Sequence, residues 1–131
     1  MNLVKLVCAF VLGPITCLLL FGFPEGCCGP IKVLLLTALI YPVLEELTFR
    51  GFIQTSILSF TTEKVVWELS FANLFTSLIF SSAHLIYMGW DKAILVFLPS
   101  LIFGYFREST SGMAAPIGLH CFYNFNFIVF N

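Results

Sequence analysis

The stretch IKVLLLTALIYPVLEELTFRGFIQTSILSF, residues 31–60, decides the fold. Its apolar parts, residues 31–44 and 51–60, are each too short to cross a bilayer core, which asks for about 20 helical residues. Joined through the Glu45-Glu46 segment, they read as one long helix with ionisable groups at its middle. An ionisable side chain near the centre of a bilayer costs at least ~2.5–3.5 kcal/mol, so its presence marks a functional site by default. Pro42, shortly before Glu45, removes a backbone hydrogen bond and crowds the preceding turn. A kink or loosened turn is therefore predicted beside the carboxylates, where opened backbone suits a polar cavity better than a lipid-facing wall.

Outward from this helix the pattern repeats. Apolar runs cover residues 6–23, 69–90, 93–106 and 113–130, and only 93–106 is short for a span, to be tilted or shielded by its neighbours. The predicted architecture is all-α: a multi-pass transmembrane helical bundle of about five membrane helices, one domain over residues 1–131, with an intramembrane polar cavity. Composition agrees, because 60% of the 131 residues are hydrophobic, 10% are charged and 16 are Phe. With a mean hydropathy of +1.02, too little polar surface remains to cover a soluble globule. A net charge of −1 gives no basic patch for nucleic acid and no polybasic lipid-binding tail. The expected partners are the lipid bilayer and a membrane-associated peptide or protein substrate. Lys5, Lys64 and Arg107 alternate with Lys32 and Lys92 across the bundle, which narrowly favours a cytoplasmic N-terminus.

Turn chemistry separates the runs. Pro24, Gly26, Gly29 and Pro30 make the first connection, and a threonine at 61 or 62 is expected to cap the helix after the second. Gly89-Trp90-Asp91-Lys92 is a short interfacial turn, with Tyr87 and Trp90 as headgroup-level anchors. The first apolar run ends at Phe21-Gly22-Phe23-Pro24-Glu25 without a small-x-small cleavage site, so it reads as a retained helix and not as a signal peptide. Of five cysteines, Cys8, Cys17 and Cys121 lie in apolar helices as small hydrophobes, and Cys27-Cys28 lies in the first loop without the spacing of a metal clip.

Within Glu45-Glu46-Leu47-Thr48-Phe49-Arg50, adjacent carboxylates point roughly 100° apart on a helix and so are expected to serve different roles. Glu46 and Arg50 are spaced i, i+4 and form an ion pair, leaving Glu45 to face the cavity as a general base. A structural Glu/Arg clamp would explain Glu46 and Arg50 but not Glu45. Phe80-Ser81-Ser82-Ala83-His84 brings one histidine, and His120-Cys121-Phe122-Tyr123-Asn124 brings a second with an amide one turn on. Each alone fits a buried interhelical hydrogen bond. Together, Glu45, His84, His120 and Asn124 come from three separate apolar helices and point to one site.

The ordered set Glu45-Glu46-x-x-x-Arg50, Phe80-x-x-x-His84 and His120-x-x-x-Asn124 resembles the three motifs of the CPBP family. That family comprises type II CAAX prenyl endopeptidases, bacteriocin-processing enzymes and relatives, which are glutamic intramembrane proteases. The motif core spans residues 45–124, and the resemblance is to a short form with fewer helices. It implies an intramembrane endopeptidase, without cofactor or metal, in which Glu45 and His84 activate water and His120 and Asn124 form the oxyanion hole. Glu46 and Arg50 would hold the site in shape. The expected activity is C-terminal processing or maturation of a sorting tail, in a multi-pass protein of a prokaryotic cell membrane. Two other readings are a zinc-dependent membrane protease, against which stands the lack of HExxH, and a non-enzymatic protein. The latter would be a haem carrier ligated by His84 and His120, or a membrane scaffold.

Overall fold

The computed structural model describes residues 3–21, 31–110 and 112–130. The first connection, with Cys27, Cys28 and Pro30, and the side chains of Cys17 and Tyr87 lie outside the described residues. Five helices carry the chain: α1 (Leu3–Phe21), α2 (residues 31–58), α3 (Phe71–Met88), α4 (Trp90–Thr110) and α5 (Ala114–Phe130). The short connection between α3 and α4 turns the chain back, so the start of α3 and the end of α4 share one end of the bundle.

The long helix read across residues 31–60 is present as α2, and the loosened winding expected near Pro42 takes a definite form. Two stretches, Leu36–Ile40 and Leu47–Gln54, are π-helical, separated by the α-turns of Tyr41–Glu46. The Tyr41 amide reaches back to the Leu36 carbonyl, five residues away. In that register the next amide would serve Thr37, but residue 42 is proline and has none to give. The Asn124 side chain on α5 donates to the Thr37 carbonyl instead, at 2.9 Å.

Two expectations are corrected. No threonine caps the third helix: residues 64–70 form an antiparallel hairpin of β1 (Lys64–Val66) and β2 (Leu69–Ser70), a small addition to the expected all-α architecture. Val65-Val66 favours extended backbone, and the Ser70 hydroxyl accepts the Asn73 amide at 3.0 Å to open α3. The helix expected at residues 93–106 runs from Trp90 to Thr110, with Asp91 in its first turn and Arg107 in its last, both favourable to the helix dipole. Among the described residues, no helix is long and apolar enough to cross a membrane. Of the cysteines, Cys8 is exposed on α1, where a buried side chain was expected, and Cys121 is half-buried.

Polar and apolar residues are distributed inside out. The fully buried side chains include Glu46, Arg50, Gln54, Asn73, Thr76, Ser77 and Ser100, whereas Leu44, Phe52, Leu78, Ile86 and Leu98 are exposed. An apolar cluster of Ala9, Phe103, Phe106 and Leu119 docks α1 onto α4 and α5, helped by a Tyr123 hydroxyl donating to the Ala9 carbonyl. Between α2, α3, α4 and α5 many of the buried side chains are polar, set around the buried ring of Phe80. Buried polar groups are costly unless bonded, so each needs a partner on a facing helix.

Candidate active site

Glu45 and Glu46 leave the end of an α-helical turn of α2, immediately before the longer π-stretch. Glu46 is fully buried, and its Oε1 accepts a hydrogen bond from His120 Nδ1 on α5 at 2.9 Å. Its other oxygen faces Arg50 Nε at 3.6 Å, a pair sealed from solvent on both sides. Glu45 Oε2 lies 3.5 Å from His120 Nε2. The two carboxylates were expected to have separate partners; instead both converge on one imidazole. Their different directions on the helix let them approach its two nitrogens from different sides. With the Nδ1 proton donated to Glu46, Nε2 is the edge turned toward Glu45.

His84, on α3, bonds through Nδ1 to the Phe80 carbonyl of its own helix at 2.8 Å. A carbonyl only accepts, so Nδ1 carries the proton and the neutral ring has its lone pair on Nε2. The ring is also within electrostatic reach of Glu45. Phe80 organises this arrangement. Its buried ring lies 4.5 Å from that of His84 and 5.6 Å from that of His120, centre to centre, with the Arg50 guanidinium 5.7 Å above it. Phe103 stacks on the His120 ring at 4.9 Å. Both histidines therefore flank one aromatic ring, and do not point to opposite faces of the bundle.

Arg50 is held more heavily than an i, i+4 pair requires. Its guanidinium donates to the Ser100 carbonyl at 2.8 Å, to the Ser100 hydroxyl, to Gln54 Oε1 at 3.3 Å and to Ser77 at 3.4 Å. Gln54 in turn donates to the Gly104 carbonyl and to Glu108 Oε1 at 2.7 Å, and Glu108 accepts from Ser70 at 2.5 Å. Asn73 bridges Ser77 and the Leu101 carbonyl. It passes so close to Gly104 that a Cβ there would overlap the Asn73 carboxamide. The sequence reading missed Gln54, Asn73, Ser77, Ser100 and Glu108. A signal was available: residues 46/50/54, 73/77 and 100/104/108 form polar or small stripes spaced i, i+4 on three apolar helices, as faces that meet must.

Asn124 stands one turn after His120, as the sequence predicted, with one amide hydrogen committed to Thr37. It thus repairs the backbone that Pro42 leaves incomplete. Among the described residues, no three His, Cys, Asp or Glu side chains are arranged to hold a metal ion.

A model of the family described as type II CAAX prenyl endopeptidase Rce1-like matches residues 28–126. The chain belongs to this family. The match contains all three motifs, from Glu45 to Asn124, and every residue of the polar network that joins them. The Rce1-like family is one of membrane proteases, so membership suggests a peptidase with CAAX-type activity and a membrane location. No curated protein and no solved structure matches the chain.

Proposed function

We propose that this Rce1-like chain is a membrane-embedded endopeptidase that hydrolyses a peptide bond near the C-terminal end of a membrane-associated substrate. The observation that carries the reading is the difference between the two carboxylates. The Glu45 side chain is 28% exposed while that of Glu46 is sealed, so Glu45 is the member of the cluster that water and substrate reach. Support for the membrane comes from the inside-out bundle, with its buried Glu, Arg, Gln and His and its apolar exterior.

In this mechanism Glu45 accepts a proton from water as the water oxygen bonds to the substrate carbonyl carbon. His84 orients that water through the lone pair on Nε2, a tautomer imposed by the Phe80 carbonyl. The oxyanion is met by His120 as an imidazolium, which carries a proton on Nε2 as well as the Nδ1 proton given to Glu46, and by the second amide hydrogen of Asn124. The proton held by Glu45 then passes to the amide nitrogen as the carbon–nitrogen bond breaks, leaving a carboxylic acid and an amine. Glu46 fixes the His120 ring, and Arg50 fixes Glu46.

The test is to incubate the purified protein in lipid nanodiscs with membrane-anchored peptides bearing different C-terminal tails, and to read the products by mass. Glu45→Gln and His84→Ala should each lower the rate by about 10²-fold or more while the helical content is kept. Cleavage by Glu45→Gln at the parental rate overturns the mechanism.

A further inference from the structure

The hairpin at residues 64–70 plays no part in the chemistry above, and its tip contradicts ordinary turn composition. Trp67 occupies the first position of a two-residue turn with φ 50°, a left-handed conformation that suits Gly, Asn or Asp. Its side chain is 96% exposed, so no contact within the protein covers the largest apolar residue type the chain has. The turn itself is held firmly through Glu68, the residue after Trp67. Lys64 Nζ donates to the Glu68 carbonyl at 2.7 Å, and Lys5 on α1 donates to the Glu68 carboxylate at 2.7 Å and to the Tyr105 hydroxyl at 2.9 Å. An indole is thus presented outward by a braced support.

What surrounds it names the partner. Val65 and Val66 on the hairpin and Phe60 just before it are exposed, and the outer face of α3 continues the apolar surface through Phe71, Phe75, Leu78 and Ile86. Lys5 lines the same groove as Trp67, and Lys64 holds the carbonyl of the next residue, a grouping of aromatic and cationic side chains typical of the headgroup layer. At the far end of α3 stands the second tryptophan, Trp90, also exposed. The 18 residues of α3 between them rise about 27 Å, which separates the two exposed indoles along the helix. We propose that the hairpin seats Trp67 in the headgroup layer of a lipid bilayer, one boundary of the membrane, as Trp90 occupies the other.

The proposal rests on the membrane-embedded reading, and its test separates the two. These are the only two tryptophans in the chain, so Trp90→Phe leaves Trp67 as the sole indole reporter and Trp67→Phe leaves Trp90. Each variant is reconstituted into phosphatidylcholine vesicles carrying brominated lipids, labelled either near the headgroup or deep in the acyl chain. Trp67 should emit blue-shifted from hydrated indole, be quenched several-fold better by the shallow label than by the deep one, and resist iodide. Red, iodide-quenched emission from Trp67 overturns the proposal. If Trp90 is lipid-quenched in the same vesicles, the membrane reading survives; if the protein also fails to float with vesicles, both fall. Protection from iodide without quenching by either brominated lipid overturns it in favour of a protein surface, a second copy or a substrate in the groove of Lys5, Glu68, Leu69 and Tyr105.

Discussion

Replacing Arg50 by methionine gives the most demanding test of the buried network. The guanidinium is wholly buried, and it is the cation facing the sealed Glu46 carboxylate at 3.6 Å. Were its role only the hydrogen bonds to Ser100, Gln54 and Ser77, each net bond would contribute about 1 kcal/mol. Removing one partner of a buried ion pair costs about 3–5 kcal/mol, because the remaining charge stays desolvated. That is comparable to those bonds together, so the double mutant is what separates the two causes. Arg50→Met should therefore lose about 3–5 kcal/mol, a large part of the ~5–15 kcal/mol typical of a folded domain. Glu46→Gln/Arg50→Met removes both charges and should recover about 1–3 kcal/mol of this, since the glutamine oxygen can still accept from His120 Nδ1. The measurement is reversible unfolding by SDS in mixed micelles, followed by helical circular dichroism for parent, both singles and the double. An Arg50→Met loss within about 1 kcal/mol of the parent, or a double mutant equal to the sum of the singles, refutes the charge-pairing argument.

Gly104→Ala should destabilise by about 1–3 kcal/mol, because its Cβ meets the Asn73 carboxamide, and adding Asn73→Ser should restore part of the loss in the same unfolding assay. Asn124→Ala should cost about 1–3 kcal/mol by orphaning the Thr37 carbonyl. That cost should shrink in a Pro42→Ala background, where the helix supplies its own amide; equal costs in both backgrounds refute the pairing. Glu68 has its carboxyl held below the ordinary range, first by the hydrogen bond from Lys5, then by Tyr105 and by the Lys5 charge. Because the folded value is depressed, this contribution is present above the ordinary glutamate pKa of about 4.3 and lost as pH falls through the lowered value. In Trp90→Phe, Trp67 emission should hold constant down to that range and change below it, and a Glu68→Gln variant should remove the transition.

Much of the site could be read from spacing because its residues are anomalous where they stand. Glu45, Glu46, Arg50, His84 and His120 are expensive in an apolar helix, and expense needs no tertiary knowledge to recognise. Serines, Asn73 and Gln54 are cheaper there, so their importance emerges only when three helices are seen to face one another. The convergence of both glutamates on His120 was also illegible, since it depends on where α5 crosses α2. Pro42 announced a disturbed turn, but not that Asn124 would complete it. The hairpin was hidden because Trp67-Glu68 lacks the glycine or asparagine by which such turns are ordinarily recognised.

The π-winding of Leu47–Gln54 has a consequence for how this helix tolerates insertions and deletions. A π-stretch is the trace of an extra residue accommodated without breaking the helix. Excising one residue there would let the backbone close into ordinary α-turns with its hydrogen bonds intact. The wider winding is what absorbs that residue, so the segments on either side would keep their phase, with Glu45 and Glu46 still turned toward His120. Only side chains within the stretch would be re-aimed. Arg50 would keep its four-residue spacing from Glu46 if the excised residue lay at 51–53, and would lose it if the excised residue lay at 47–49.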